Sequence, residues 1–288
     1  MISEPQAARL GWLVQIAMDM HVADRANLAP TPDPRLGPAW KLIGYLIATD
    51  CLFRRGQSVA FGEETCYGFL AQSTSDSNEY VAVIRGTEGI LEWIEDGLFC
   101  RVNHPVAGTV ESGFWGIYSS LRLALVGALA IDHRAAAAAI ILTIGIGNLT
   151  VIGHSLGAPL ATYLTFDIAA ACADRVQACL FASPRPGNAA FCQAFDARVK
   201  KYQLYNYELD VVPRVPRGPD YTDLPRVMWI GIAAAQAKIR FALDCHHHVV
   251  CYCAMLDYAL FDWSNLGAID HPYAACIRGP AASTGVPS

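Results

Sequence analysis

The chain has 288 residues, 53% of them hydrophobic and 16% charged, with a formal net charge of −5 at pH 7. Such a length and apolar content bury a substantial core and exclude a disordered chain. The length suits one large α/β domain over residues 1–288 better than two, and an acidic balance with no Lys/Arg run longer than two leaves no footprint for nucleic acid, so no nucleic-acid partner is expected.

The amino terminus, MISEPQAARLGW, carries Glu4 and no basic region ahead of a long apolar run. No signal peptide is expected, although a secreted chain already freed of one would read the same. Leu10, Leu13, Val14 and Ala17 recur at the helical period and predict an amphipathic helix over residues 4–28. Pro30, Pro32, Pro34 and Pro38 then exclude helix and predict a linker over the surface. Leu42 to Ile47, Cys66 to Ala71 and Tyr80 to Ile84 read as strands, the last two joined by a polar turn of Ser73, Ser75, Asp76 and Asn78.

The third of these strands ends on Arg85-Gly86-Thr87 and is followed by GILEWIEDGL. The most apolar stretch, Leu121 to Gly147, is interrupted by Asp132, His133 and Arg134. What remains, Ala135 to Gly147, falls short of the about 20 residues that a bilayer core requires. A buried helix running into a strand is expected there, and no transmembrane segment.

From Asn148 to Tyr163 the chain reads NLTVIGHSLGAPLATY: a β-branched run, then Gly153-His154-Ser155-Leu156-Gly157, then an Ala/Leu-rich run. Gly-x-Ser-x-Gly between a strand and a helix is the pattern of a nucleophile elbow. The turn is so sharp that the serine takes strained torsions, and its flanking glycines have no Cβ to clash. Ser155 is therefore expected as an exposed nucleophile at the carboxyl end of a sheet, with the first helical amides facing any oxyanion formed on the attacked group.

A serine hydroxyl needs a positioned base, and the base an acid. Tyr205 to Asp210 reads as a strand ending at a carboxylate, with Val211-Val212-Pro213 turning away. Asp210 is preferred over Asp220, Asp223 and Asp244 because a strand end orients a base firmly. His246, His247, His248 and His271 all follow it, in the chain order Ser, acid, His. The ten cysteines are scattered through a chain too large to need staples, so free buried thiols in a reducing compartment are expected. That points to the cytoplasm and leaves a secreted location open. Cys245 with the three following histidines lacks an accompanying Cys-x-x-Cys, and no metal site is expected.

Arg85-Gly86-Thr87 at a strand end, Trp93 and Asp96 after it, Ser112-Gly113-Phe114, GHSLGA, Pro184-Arg185-Pro186-Gly187-Asn188 and Asp210-Val211-Val212-Pro213 follow in an order that resembles the class 3 lipases, a branch of the α/β-hydrolases. The shared order spans roughly residues 80–255. The resemblance implies an α/β-hydrolase fold, a mostly parallel central sheet flanked by helices, with a short helical lid. It implies Ser155 as nucleophile, Asp210 as acid, and the amides of Thr87 and Leu156 as the oxyanion hole. The lid would include Ile90, Leu91, Trp93 and Ile94, facing the site when closed, where a plain amphipathic helix packed on the sheet is the alternative. The family's histidine begins a helix with a tyrosine five residues later. His247 and Tyr252 have that spacing, which makes His247 the expected base and His248 its alternative. Ala158 stands where the family usually has a second glycine, and Pro159 after it suits a first helical turn.

The expected reaction is hydrolysis of a carboxylic ester through an acyl-enzyme, with no cofactor. Trp93, Phe99, Phe114 and Trp115 near the site segments favour apolar acyl or aryl esters over charged substrates. A lipase acting on acylglycerols leads, with a transient lipid interface; phospholipase A1 and a short-chain or aromatic esterase share the framework. A non-catalytic lipase-fold binding protein is the competing class, and the complete set of Ser155, Asp210 and a histidine stands against it. Gly279 to Ser288 is small and polar enough to fray.

Overall fold

The computed structural model describes residues 2–50, 62–87, 99–128, 134–260 and 274–278. The lid residues Leu91, Trp93 and Ile94, together with Asp96, His271 and the 279–288 tail, lie outside the described residues.

The strands are β1 (Trp40–Thr49), β2 (Glu64–Ser73), β3 (Glu79–Ile84), β4 (Arg101–Asn103), β5 (Thr109–Glu111), β6 (Arg122–Leu125), β7 (Asn148–His154), β8 (Val176–Phe181), β9 (Tyr202–Tyr207) and β10 (Val227–Ile230). Eight of them form one sheet in the order β10-β9-β8-β7-β3-β2-β1-β6, while β4 and β5 pair separately. Neighbours from β3 through β10 run parallel, and the β3-β2-β1-β6 side is antiparallel. The helices are α1 (Glu4–Ala23), α2 (Ser112–Ser120), α3 (Ala136–Ile144), α4 (Gly157–Cys172), α5 (Ala189–Arg198), α6 (Ile232–Gln236), α7 (Leu243–His247) and α8 (Val249–Leu256).

Helices cover both faces of the sheet, so its central strands are apolar at successive residues rather than alternately. Val151 of β7 points into one core with Phe114, Leu160, Tyr163 and Phe166 from α2 and α4. Its neighbour Ile152 points into the other, with Leu13, Ile16 and Tyr252 from α1 and α8. Among the described residues no helix is long and apolar enough to cross a membrane.

Several boundaries differ from the sequence reading. Helix α1 stops at Ala23, before the proline-rich segment, and Asn27 bonds back to Asp24. Its Ala7, Ala8, Gly11, Leu13, Val14, Gln15, Ile16, Ala17 and Met20 are all buried, because it lies against both the sheet and α8. The stretch from Leu121 to Gly147 contains an edge strand, β6, on β1 before α3 begins. Phe114 is fully buried in the core, and Trp115 packs on Tyr118 and Tyr163.

The expectation of free thiols throughout is corrected at one pair: Cys245 and Cys276 form a disulfide with Cα atoms 5.2 Å apart. Backbone pairing brings them together, through the bridge of Ile239 with Ile277 and the bond from Arg240 N to Cys276 O at 2.7 Å. Those contacts are tertiary, and pairing of cysteines does not follow from their spacing.

Candidate active site

Strand β7 ends at His154 and α4 begins at Gly157, leaving Ser155 to make the turn between them. Its φ is +56°, a left-handed value that a serine adopts only where its surroundings enforce it. The enforcing contacts are close. A Cβ on Gly153 would stand 2.3 Å from the carbonyl oxygen of Gly157, and one on Gly157 would stand 2.4 Å from that of Ile84. Ser155 N donates to Phe181 O at 3.0 Å, and Ser155 O accepts from Ala158 N at 2.9 Å. Ala158 is itself fully buried, and Pro159 sits in the first helical turn, where amides have no intrahelical partner.

Strand β9 ends at Tyr207, so Asp210 lies in the turn beyond it rather than on the strand end. Its carboxylate is held on both oxygens. Oδ1 accepts from Val212 N at 2.9 Å; Oδ2 accepts from the Tyr252 hydroxyl at 2.8 Å and meets His247 Nδ1 at 2.8 Å. The other imidazole nitrogen, His247 Nε2, lies 2.8 Å from Ser155 Oγ. Ser155 and Asp210 are each 1% exposed, whereas the His247 side chain keeps 13% of its surface. Since Nδ1 faces a carboxylate, it carries the proton in the neutral ring, and Nε2 is left to accept one from the serine.

The other expected residues fall into place around this line. His248, the alternative base, occupies the break between α7 and α8 at φ −66° and ψ 136°, where its carbonyl accepts from Cys251 N and Tyr252 N. His246 is buried against the rings of Tyr207 and Phe241, and burial lowers its pKa. Asp220 and Asp223 pair with Arg101 and Arg185. Among the described residues no three His, Cys, Asp or Glu side chains converge as a metal site would.

Leu156 follows Ser155 directly and opens α4, where first-turn amides lack helical acceptors. Gly86 backs onto the elbow: a Cβ there would stand 3.0 Å from Ser155 Cβ and 3.2 Å from His154 O. Thr87, half-buried, follows it. The sequence reading assigned Arg85 no part in this arrangement. Its buried guanidinium donates to Cys66 O at 2.8 Å and to Gly86 O at 2.7 Å, and lies over the Tyr67 ring at 4.8 Å. Arg85 thereby fastens the Gly86-Thr87 corner to β2. No sequence signal beyond its place at a strand end pointed to this.

Residues 81–219 match the family model described as Lipase (class 3). Secreted mono- and diacylglycerol lipase A of Penicillium cyclopium is 26% identical over 169 residues, covering 54% of this chain and 52% of that protein. Phospholipase A1-II 6 of Oryza sativa subsp. japonica is 31% identical, covering 65% of this chain and 56% of that protein. The chain thus spans about half the length of the curated relatives it matches. The solved lipase from Rhizopus microsporus var. chinensis superposes with a TM-score of 0.57 at 21% identity, covering 78% of this chain and 74% of that one. At that identity the likeness concerns the fold, which is the α/β-hydrolase fold.

Proposed function

Because the chain belongs to the class 3 lipases of the α/β-hydrolase superfamily, we propose that it hydrolyses carboxylic esters of lipids, acylglycerols first, with Ser155, His247 and Asp210 as its catalytic triad. The observation that carries this reading is the continuous line from Asp210 Oδ2 through the His247 imidazole to Ser155 Oγ, 2.8 Å at each step, on a serine with φ +56°.

His247 Nε2 takes the Ser155 proton as the hydroxyl oxygen attacks the ester carbonyl. The negative charge that develops on the carbonyl oxygen is met by the amides of Thr87 and Leu156. Asp210 fixes the imidazole tautomer and stabilises the imidazolium. Collapse expels the alcohol, which takes the proton from His247, and water hydrolyses the acyl-serine by the same route in reverse. No step requires a cofactor.

Transient contact with a lipid surface belongs to this reading. It is supported by Phe241 and Leu243, apolar side chains 64% and 73% exposed in the segment leading into His247. Phospholipase A1 activity is the second reading, favoured by the relative of that name.

The test is hydrolysis of p-nitrophenyl esters from acetate to palmitate, then of diacylglycerol and phosphatidylcholine, by wild type and Ser155→Ala. Turnover that falls at least about 1000-fold in the variant is expected. Undiminished turnover in Ser155→Ala overturns the reading, and the preferred substrate separates acylglycerol lipase from phospholipase A1 and from short-chain esterase.

A further inference from the structure

Between α7 and α8 the helical path breaks at His248, and the His247 carbonyl meets a side chain in place of a ladder amide. In an uninterrupted helix His247 O would accept from Cys251 N. Instead Cys251 N donates to His248 O at 2.9 Å, the oxygen that Tyr252 N reaches at 3.2 Å in the regular helical pattern. The donor that His247 O receives comes from the elbow: His154 Nε2 lies 2.6 Å from it.

A carbonyl only accepts, so the proton of His154 sits on Nε2. The ring is buried, and its plane lies over the His247 ring with centroids 4.9 Å apart and a tilt of 37°. Tyr252 closes the cluster edge-on at 6.1 Å. His154 touches neither the serine hydroxyl nor the carboxylate through any of these contacts. It touches the main chain and the ring face of the residue that bonds both.

We propose that His154 is a positioning residue for His247. It adds a third fixed point to the imidazole, holding its backbone while Asp210 Oδ2 and Ser155 Oγ hold its two nitrogens. The inference rests on the proposed roles of Ser155 and His247. Burial suits a histidine to this position, because it holds the His154 pKa well below the ordinary range, with the charge on His247 as the second cause, so the ring stays neutral while its neighbour becomes imidazolium. The side chain immediately before the nucleophile thus ties the strand that presents Ser155 to the helix that presents the base. Motion of one carries the other.

The decisive property is the N–H, and a pair of variants isolates it. His154→Gln places an amide N–H near the position of Nε2, whereas His154→Met fills similar space without a donor. Steady-state hydrolysis of a p-nitrophenyl ester, with melting temperature recorded alongside, is the measurement, and Ser155→Ala is run in the same assay. His154→Met is expected to lose about tenfold in kcat with KM within about twofold of wild type, because substrate contacts are untouched while the transition-state geometry loosens. His154→Gln is expected to recover most of that loss at the same KM. A Gln variant no faster than the Met variant, or a loss that appears in KM, overturns the positioning role. Should Ser155→Ala keep its turnover, the triad itself falls, and that result is read independently of the His154 pair.

Discussion

Tyr252 and Asp210 are joined by a hydrogen bond of 2.8 Å, from the phenol hydroxyl to Oδ2, the same oxygen that meets His247 Nδ1. The phenol oxygen also accepts from Tyr207 N at 2.9 Å, so it is oriented by the strand that leads to the acid. Tyr252→Phe removes both bonds with little change of volume. A hydrogen bond to a charged group contributes about 1.5–3 kcal/mol, and a stability loss of roughly 2 kcal/mol is expected in denaturant unfolding. Where half of that falls on the imidazolium-bearing transition state, kcat drops about fivefold. Unchanged kcat with reduced stability would assign the tyrosine to the fold alone.

Stability is expected to fall in acid through buried histidines. His104, His154 and His246 all have pKa values lowered by burial as the leading cause. A group with a folded-state pKa below its unfolded value contributes stability that is complete above the unfolded pKa, about 6.5 for histidine, and that is lost as pH falls from there toward the folded value. His104 shows why protonation is resisted: Nδ1 accepts from Val106 N at 3.2 Å and Ala107 N at 3.4 Å, so a proton there breaks both bonds. Melting temperature measured from pH 8 to pH 5 should decline below about 6.5. His104→Asn, whose Oδ1 replaces the acceptor without titrating, should show a shallower decline.

The disulfide closes a loop of 31 residues in sequence, and Cys245 lies on the same short helix as His247. Loop-closure entropy assigns such a bond about 3.7 kcal/mol. Cys276→Ser is expected to lower the melting temperature, and dithiothreitol should lower wild type to the same value while leaving the variant unchanged. Equal melting of oxidised wild type and variant would show that the backbone bonds around Arg240 and Cys276 suffice to hold this segment.

Local chemistry made the elbow legible. The glycines flanking Ser155 are demanded by atoms within the turn and at the adjoining strand end, and a β-branched run before an Ala/Leu-rich run sets strand and helix unaided. Strand β8 was not read, whereas β1, β2, β3 and β7 were legible from their apolar runs, where both sheet faces are covered. Long-range pairing was not. Edge strand β6 has a short pattern and acquires its identity from β1. Arg85, His154 and Cys245 meet partners at Cys66, His247 and Cys276, and composition around a single residue carries no information on which distant carbonyl or thiol will meet it. Asp210 was legible as a carboxylate after a strand, but its place in the turn beyond Tyr207 depends on Val212 and Tyr252.

Arg85 provides the last prediction. Its guanidinium spans two carbonyls, Cys66 O and Gly86 O, on a buried path against the Tyr67 ring. A lysine ammonium has neither the planar fork nor the reach to make both bonds at once. Arg85→Lys should therefore leave Gly86 O without its donor and release the corner that carries Thr87. Loss of one oxyanion donor lowers rates about 100- to 1000-fold, and since the corner is loosened rather than removed, a smaller fall of about tenfold in kcat is expected, with KM nearly constant. The effect should be accompanied by slower labelling of Ser155 by a fluorophosphonate, whose phosphoryl oxygen occupies the same hole. Wild-type labelling and turnover in Arg85→Lys would separate the oxyanion site from the Arg85 anchor.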